Sequence, residues 1–239
     1  MRSCAYPSGT AERIHRACHV TELETVFQPL VELDGGECVA YEALTRFPRD
    51  TEWTPRDWFA HANALGLGEK LELAAVAAAL THLPDIPEHA ALAVNVSPAV
   101  AMTDEFFELV APFASRLIVE VTEHEPVGDF DQLSDRLDDL RSLGARIAID
   151  DVGAGFASIR DTFRLGPDVV KIDRSLTAVL ARDEFTRAIV AAVVKRAEQS
   201  GARVAAEGIE SQAELEQVRR LGIHHGQGFL LGRPAACVL

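Results

Sequence analysis

The chain has 239 residues, 48% of them hydrophobic, which suits one barrel-sized domain or two small ones with a sizeable core. No apolar run approaches the roughly 18 residues of a membrane span, the longest (Leu71 to Leu80) being broken by Glu72, and the N-terminus MRSCAYPSGTAERIH lacks the apolar stretch of a signal peptide. A formal charge of −14 repels nucleic acid polymers and anionic membranes alike, so an anionic substrate needs a local reversal of that field.

Strand-like runs recur in chain order with helical stretches between them. They are VFQPLVEL (26–33), CVAYEALTRF (38–47), ALAVNVS (91–97), RLIVEVTE (116–123), RIAIDDV (146–152), DVVKIDRS (168–175), RVAAEGIE (203–210) and GQGFLLG (226–232). Helices are expected over 129–144, 184–201 and 211–222, each ending on a glycine, the last with Ser211 as N-cap. The alternation predicts an α/β fold of the TIM-like (β/α)8 barrel type. One connection departs from that pattern. The first two strands are joined only by Asp34-Gly35-Gly36, too short for a parallel crossover, so the barrel is a variant with an antiparallel first strand. Residues 1–21 are expected to form an N-terminal cap or linker stump, and 22–239 the domain. Cys4, Cys18, Cys38 and Cys237 form no CxxC pair, which fits reduced thiols and a cytoplasmic location.

Polar residues stand near the C-terminal ends of these apolar strands, the end at which barrel enzymes build active sites. They are Glu42, Asn95, Glu120, Asp150, Asp151, Lys171 and Glu207, from six strands. Singly, each has an ordinary explanation: a helix cap, a solvated loop charge, a turn at Asp150-Asp151, a snorkelling lysine. Together they are costly, because like charges about 4 Å apart repel by roughly 4 kcal/mol at an effective dielectric of 20. Five carboxylates against one lysine leave −4, which two divalent cations neutralise. Oxygen donors with one Asn carbonyl suit Mg2+ or Mn2+ rather than zinc, and a carboxylate such as Asp150 can bridge two ions about 3.5–4 Å apart. Among so many carboxylates Lys171 is expected to stay charged and to orient water or neutralise developing charge, not to act as a base.

These segments resemble the EAL-domain cyclic di-GMP phosphodiesterase family. The signature stands as Glu42-Ala43-Leu44 within YEALTRF, and FQPLVEL, NVSP, VEVTE, DDVGAG, KID, AEGIE and QGFLLGRP follow the family's order over roughly residues 22–235. The resemblance implies metal-dependent hydrolysis of cyclic di-GMP to linear pGpG, by water activated at two Mg2+ or Mn2+ ions. It implies that Glu42, Asn95, Glu120 and Asp150 hold one ion, that Asp150 and Asp151 hold the second with Glu207 close by, that Lys171 positions the water, and that Lys171, Glu207 and Glu42 are the catalytic residues. Gln28, Arg46, Asp173 and Gln227 are implied as substrate contacts. Glu123 and Glu210 are implied as loop-stabilising residues, Glu123 acting on the loop Val152–Ser158 that links the site to a homodimer interface. The chain departs from the family at Val152, where Phe is usual, and at Ala154 and Ala157, where hydroxylated residues are usual. A sensor or partner domain outside this chain is also expected.

Other features carry no function. His224-His225 is expected to precede the last strand at the end of the barrel away from the site. The alanine-rich stretch 74–79 is expected to be a packed helix face, and Trp53 and Trp58 packing residues. Two competing functions remain: a catalytically silent cyclic di-GMP receptor acting by protein contact, and a magnesium barrel enzyme of the enolising kind using Lys171 as base.

Overall fold

A computed structural model describes residues 9–48, 52–122, 129–153 and 159–236. Eight strands close a barrel in sequence order: β1 (Glu24–Glu32), β2 (Cys38–Arg46), β3 (Ala91–Val96), β4 (Leu117–Thr122), β5 (Arg146–Val152), β6 (Val169–Ile172), β7 (Arg203–Ala206) and β8 (His225–Gly226). β1 runs antiparallel to both neighbours, β2 and β8, and all other pairs are parallel, as the short Asp34-Gly35-Gly36 link requires. In that link Gly36 adopts φ 77° and its N–H donates to the Glu32 carbonyl at 2.8 Å.

Alternation along each strand sorts its side chains between lumen and outer face. The lower lumen is filled by Leu30, Ala40, Ala91, Ala93, Ile118, Ala148, Val169 and Ala205, mostly small residues of the kind a narrow barrel accommodates. The outer faces, including Leu92, Val94, Val119, Ile147, Val170 and Val204, pack against the surrounding helices. In α6 (Phe130–Ser142), Leu133, Leu137 and Leu140 recur at helical spacing and are fully buried, and Asp129 caps the first turn by accepting from the Asp131 and Gln132 N–H groups. α9 (Glu184–Ser200) buries Val190, Val193 and Ala197 and ends on Gly201 at φ 78°. α10 (Gln212–Arg220) starts from a capping box between Ser211 and Glu214.

A second core lies beside the barrel. Ile14 and Ala17 of α1 (Thr10–Ala17) pack with Trp58 and Ala62 of α2 (Pro55–Ala64) and with Leu71, Ala74 and Ala78 of α3 (Gly68–Leu80). The alanine-rich stretch is thus a packed helix face. Trp58 stacks on Phe47 with ring centroids 4.9 Å apart and meets Trp53 edge-on at 5.0 Å. The tryptophans are packing residues, as expected.

The last strand corrects the sequence reading. Extended structure expected over 226–232 is limited to His225–Gly226, and the chain then turns. Gly228 lies so close to the β7–α10 connection that a Cβ on it would sit 2.2 Å from the Ile209 backbone nitrogen, an approach only glycine allows. His225 lies within β8 and not before it, paired with Ala205 at the base of the barrel. It is half-buried, and burial, then His224, Arg203 and Arg146, lower its pKa to about 4, so it is neutral.

Trp58→Ala is expected to cost about 3–5 kcal/mol, the range for deleting a buried aromatic, in urea unfolding, with Trp58→Phe costing less. A loss below about 1 kcal/mol would show that α2 is not anchored by this cluster.

Candidate active site

The lumen changes character two residues beyond its apolar layer. Glu42 follows Ala40, Asn95 follows Ala93, Glu120 follows Ile118, Asp150 follows Ala148, Lys171 follows Val169 and Glu207 follows Ala205. Gln28 stands two residues before Leu30, as a strand running the other way demands, and pairs with Glu42 in the β1–β2 register. Period-two alternation therefore places all these side chains at one level and on one side.

Lys171 is the hub of this layer. Its ammonium, 1% exposed, lies 2.7 Å from Glu120 Oε2, 2.7 Å from Glu207 Oε1, 3.1 Å from Asp150 Oδ1 and 3.5 Å from Glu42 Oε2. Burial alone would lower its pKa, but Asp150, Glu120, Glu207 and Glu42 together raise it well above the usual lysine range. That direction keeps Lys171 an ammonium, which argues against a general base and against the enolising reading. Burial pushes Glu120 up to about 8 against the pull of Lys171, and it also drives Glu207 well above the ordinary carboxylate range. For Asp150 burial again raises, but Lys171 and hydrogen bonds from Glu207, Lys171 and the Asp151 N–H prevail and lower it. In the absence of metal the layer thus meets the cost of burial partly with protons and partly with one lysine.

Two amides fix Glu42 from opposite sides. Asn95 Nδ2 donates to its Oε1 at 2.8 Å and Gln227 Nε2 to its Oε2 at 2.7 Å. Gln227, implied as a substrate contact, is buried here as a brace on Glu42. Glu72 of α3 accepts from the Ser97 N–H at 2.8 Å and so anchors the turn after Asn95, where α4 (Pro98–Ala101) and α5 (Asp104–Val110) begin. Its one signal in the sequence is a carboxylate within an apolar run.

Asp150-Asp151 is more than a turn. β5 bulges between Ile149 and Val152, so these two residues oppose the single Lys171 of β6, and Asp151 takes φ 57°. Left-handed backbone in a non-glycine residue stores strain and concentrates at functional sites. It brings one carboxylate oxygen each from Asp150, Asp151 and Glu207 within 4.8 Å of one another. Three convergent carboxylates, with Glu42, Asn95 and Glu120 on the same level, are an oxygen donor set that fits hard divalent cations.

The outer residues are placed as follows. Arg46 lines a cleft beside Asp150 and Asp151, with its guanidinium donating to the Thr45 carbonyl at 3.2 Å. Gln28 lines a cleft on the other side of the mouth and donates to the Gly232 carbonyl at 3.0 Å. Asp173 serves as N-cap of α8 (Arg174–Thr177), accepting from the Ser175 N–H at 2.8 Å. Glu210 forms an ion pair with Arg174 at 3.0 Å. Glu123, and the loop beyond Gly153 that leads into α7 (Ile159–Arg164), lie outside the described residues. Val152 itself is buried in the outer core.

The EAL domain model matches residues 11–234, and the chain belongs to the EAL domain family. A cyclic di-GMP phosphodiesterase of Pseudomonas aeruginosa is 30% identical over 248 residues, covering 98% of this chain and 40% of the relative. Among solved structures, the MucR phosphodiesterase in complex with c-di-GMP is 31% identical with a TM-score of 0.79, covering 94% of this chain and 96% of that one. The Klebsiella pneumoniae BlrP1 manganese/cyclic di-GMP complex is 31% identical with a TM-score of 0.81, covering 91% and 57%. The chain spans less than half the length of the curated relatives it matches, from 18% to 45%.

Burial raises the carboxyls of both Glu120 and Glu207, so a cation taking up these oxygens would compete with protons. With Glu120 pushed up to about 8, Mn2+ affinity is expected to strengthen as pH rises towards that value, by up to about tenfold per unit per proton released. Calorimetric titration in buffers of different ionisation enthalpy measures that release. Metal binding without proton release would contradict the protonated carboxyls.

Proposed function

We propose that this chain hydrolyses cyclic di-GMP to linear pGpG in the presence of Mg2+ or Mn2+. The observation that carries the reading is the complete layer of Glu42, Asn95, Glu120, Asp150, Asp151, Lys171 and Glu207 at one end of the lumen. Relatives named as cyclic di-GMP phosphodiesterases, and solved relatives holding that nucleotide, support the substrate.

In this reading Glu42, Asn95, Glu120 and Asp150 hold one ion and Asp150 with Asp151 the second, Glu207 standing beside them. When bound, the two ions supply the charge that admits a phosphate and the Lewis acidity that makes water a nucleophile near neutral pH. The protein supplies the rest. Asn95 and Gln227 hold the Glu42 carboxylate in one orientation, as partners of metal ligands do. Lys171 stays an ammonium, orients the attacking water and neutralises charge developing on the phosphate oxygens. Arg46 faces the cleft beside Asp150 and meets a phosphate, while Gln28 and Gln227 line the cleft on the other side; Asp173, implied as a further contact, caps α8 and lines neither cleft. Glu210 and Glu123 act on the surrounding loops. We further propose that the chain works as a homodimer in the cytoplasm, coupled to a sensor or partner domain. No helix among the described residues is long and apolar enough to cross a membrane.

Incubation with cyclic di-GMP and Mn2+ or Mg2+, with and without EDTA, followed by chromatography, is expected to give metal-dependent pGpG. Glu42→Ala is expected to lower turnover by more than about 100-fold, beyond the loss typical of an outer-sphere residue. Retained activity in that variant would sink the metal assignment. Tight binding of the nucleotide without turnover would establish the receptor reading in place of the enzyme.

A further inference from the structure

The mouth of the barrel opens into two clefts of unlike chemistry, one on each side of Leu44 and Asp150. The cleft beside β7 and β8, about 250 Å³, is lined by Arg174, Glu210 and Phe229. The opposite cleft, about 430 Å³, runs under α2 past Arg46, Arg56 and Phe59 and joins a further hollow of about 510 Å³ that shares Arg56 and Phe59 and reaches Asn63. A cyclic dinucleotide whose one phosphate sits at Asp150 must send one nucleoside to each side, so the α2 cleft has to receive a base. That step rests on the proposed phosphodiesterase reading.

Two features suit it to guanine. Phe59 is half-buried, and its ring meets Phe47 edge-on with centroids 5.6 Å apart, Phe47 being itself stacked on Trp58. A ring backed in this way is a preformed stacking surface, which every base accepts. Arg56 follows Pro55 in a first turn fixed by the Thr54–Asp57 capping box. The other arginines of the mouth are engaged: Arg46 with the Thr45 carbonyl, Arg174 with Glu210, Arg233 over the Phe229 ring at 4.3 Å. Among the described residues Arg56 donates no hydrogen bond and closes no ion pair. Guanine presents two acceptors, O6 and N7, to a guanidinium fork, whereas adenine presents one acceptor and one donor.

We propose that the α2 cleft holds one guanine of the substrate, with Phe59 as its stacking face and Arg56 as the residue that selects guanine over adenine. The test is binding to the full chain in Ca2+, with cyclic di-GMP and its adenine counterpart cyclic di-AMP as probes. Arg56→Ala is expected to weaken cyclic di-GMP binding roughly tenfold or more and cyclic di-AMP far less, so that the preference narrows. Arg56→Lys is expected to restore only part of it, since an ammonium lacks the fork. Arg56 is exposed, so an unchanged thermal midpoint confirms that the variants fold. Unchanged affinity in Arg56→Ala beside a parent that binds, or an equal loss for both nucleotides, overturns the inference alone. A parent that binds neither nucleotide overturns the substrate reading and the inference with it.

Discussion

The ammonium of Lys171 in contact distance of four carboxylates is the interaction on which the upper half of the barrel depends. Glu42, Glu120 and Asp150 are each less than a tenth exposed, and buried anions are tolerated only when paired or neutralised. One lysine cannot neutralise them all. Burial therefore raises the carboxyls of Glu120 and Glu207, and the same oxygens form a donor set that fits cations. Protons, the lysine and any cation that binds would compete for one patch of charge.

The reversed first strand serves this layer as well as the topology. A strand entering from the opposite end still alternates with period two, so Gln28 reaches the level of Glu42 by preceding Leu30 where every other strand residue follows its apolar neighbour. β1 also pairs with β8, which is only two residues long and hands the chain over to Gln227. Two residues beyond His225, Gln227 reaches the level of the carboxylates and its amide donates to Glu42, while Gly228 turns the chain onto the Ile209 backbone.

Much of this was legible in the sequence because barrel strands write their two faces as alternation. Apolar residues flanked by one carboxylate, as in Val119-Glu120-Val121, place the acid in the lumen once the fold is known. The glycine link between the first strands forced the antiparallel pair. What the sequence left open depends on contacts distant in the chain. The bulge at Asp150-Asp151 needs the β6 register to define it, and nothing within RIAIDDV marks it as other than a turn. Gln227 finds its partner 185 residues away. The extent of GQGFLLG failed as a strand because the chain turns after Gly226, with Gly228 against the Ile209 backbone and the Leu230 N–H donating to the Ile209 carbonyl. The cleft under α2 was equally hidden, since Trp53 and Trp58 read as packing residues and only the contacts with Phe47 and Phe59 show the surface they back.

The charge of the whole chain and the charges of the mouth act at different ranges. A chain of −14 repels an anion at long range, but at physiological ionic strength that field decays over about 8 Å. Inside that distance the local groups decide, and here they are Arg46 and Arg56 on one side and Arg174 on the other, around a carboxylate layer that cations convert from repelling to attracting. A long polyanion must lie across the acidic surface to reach these groups, and so pays the repulsion along its whole length. A small anion meets only the groups of the mouth. The acidic exterior and the basic rim thus discriminate by size as well as by charge.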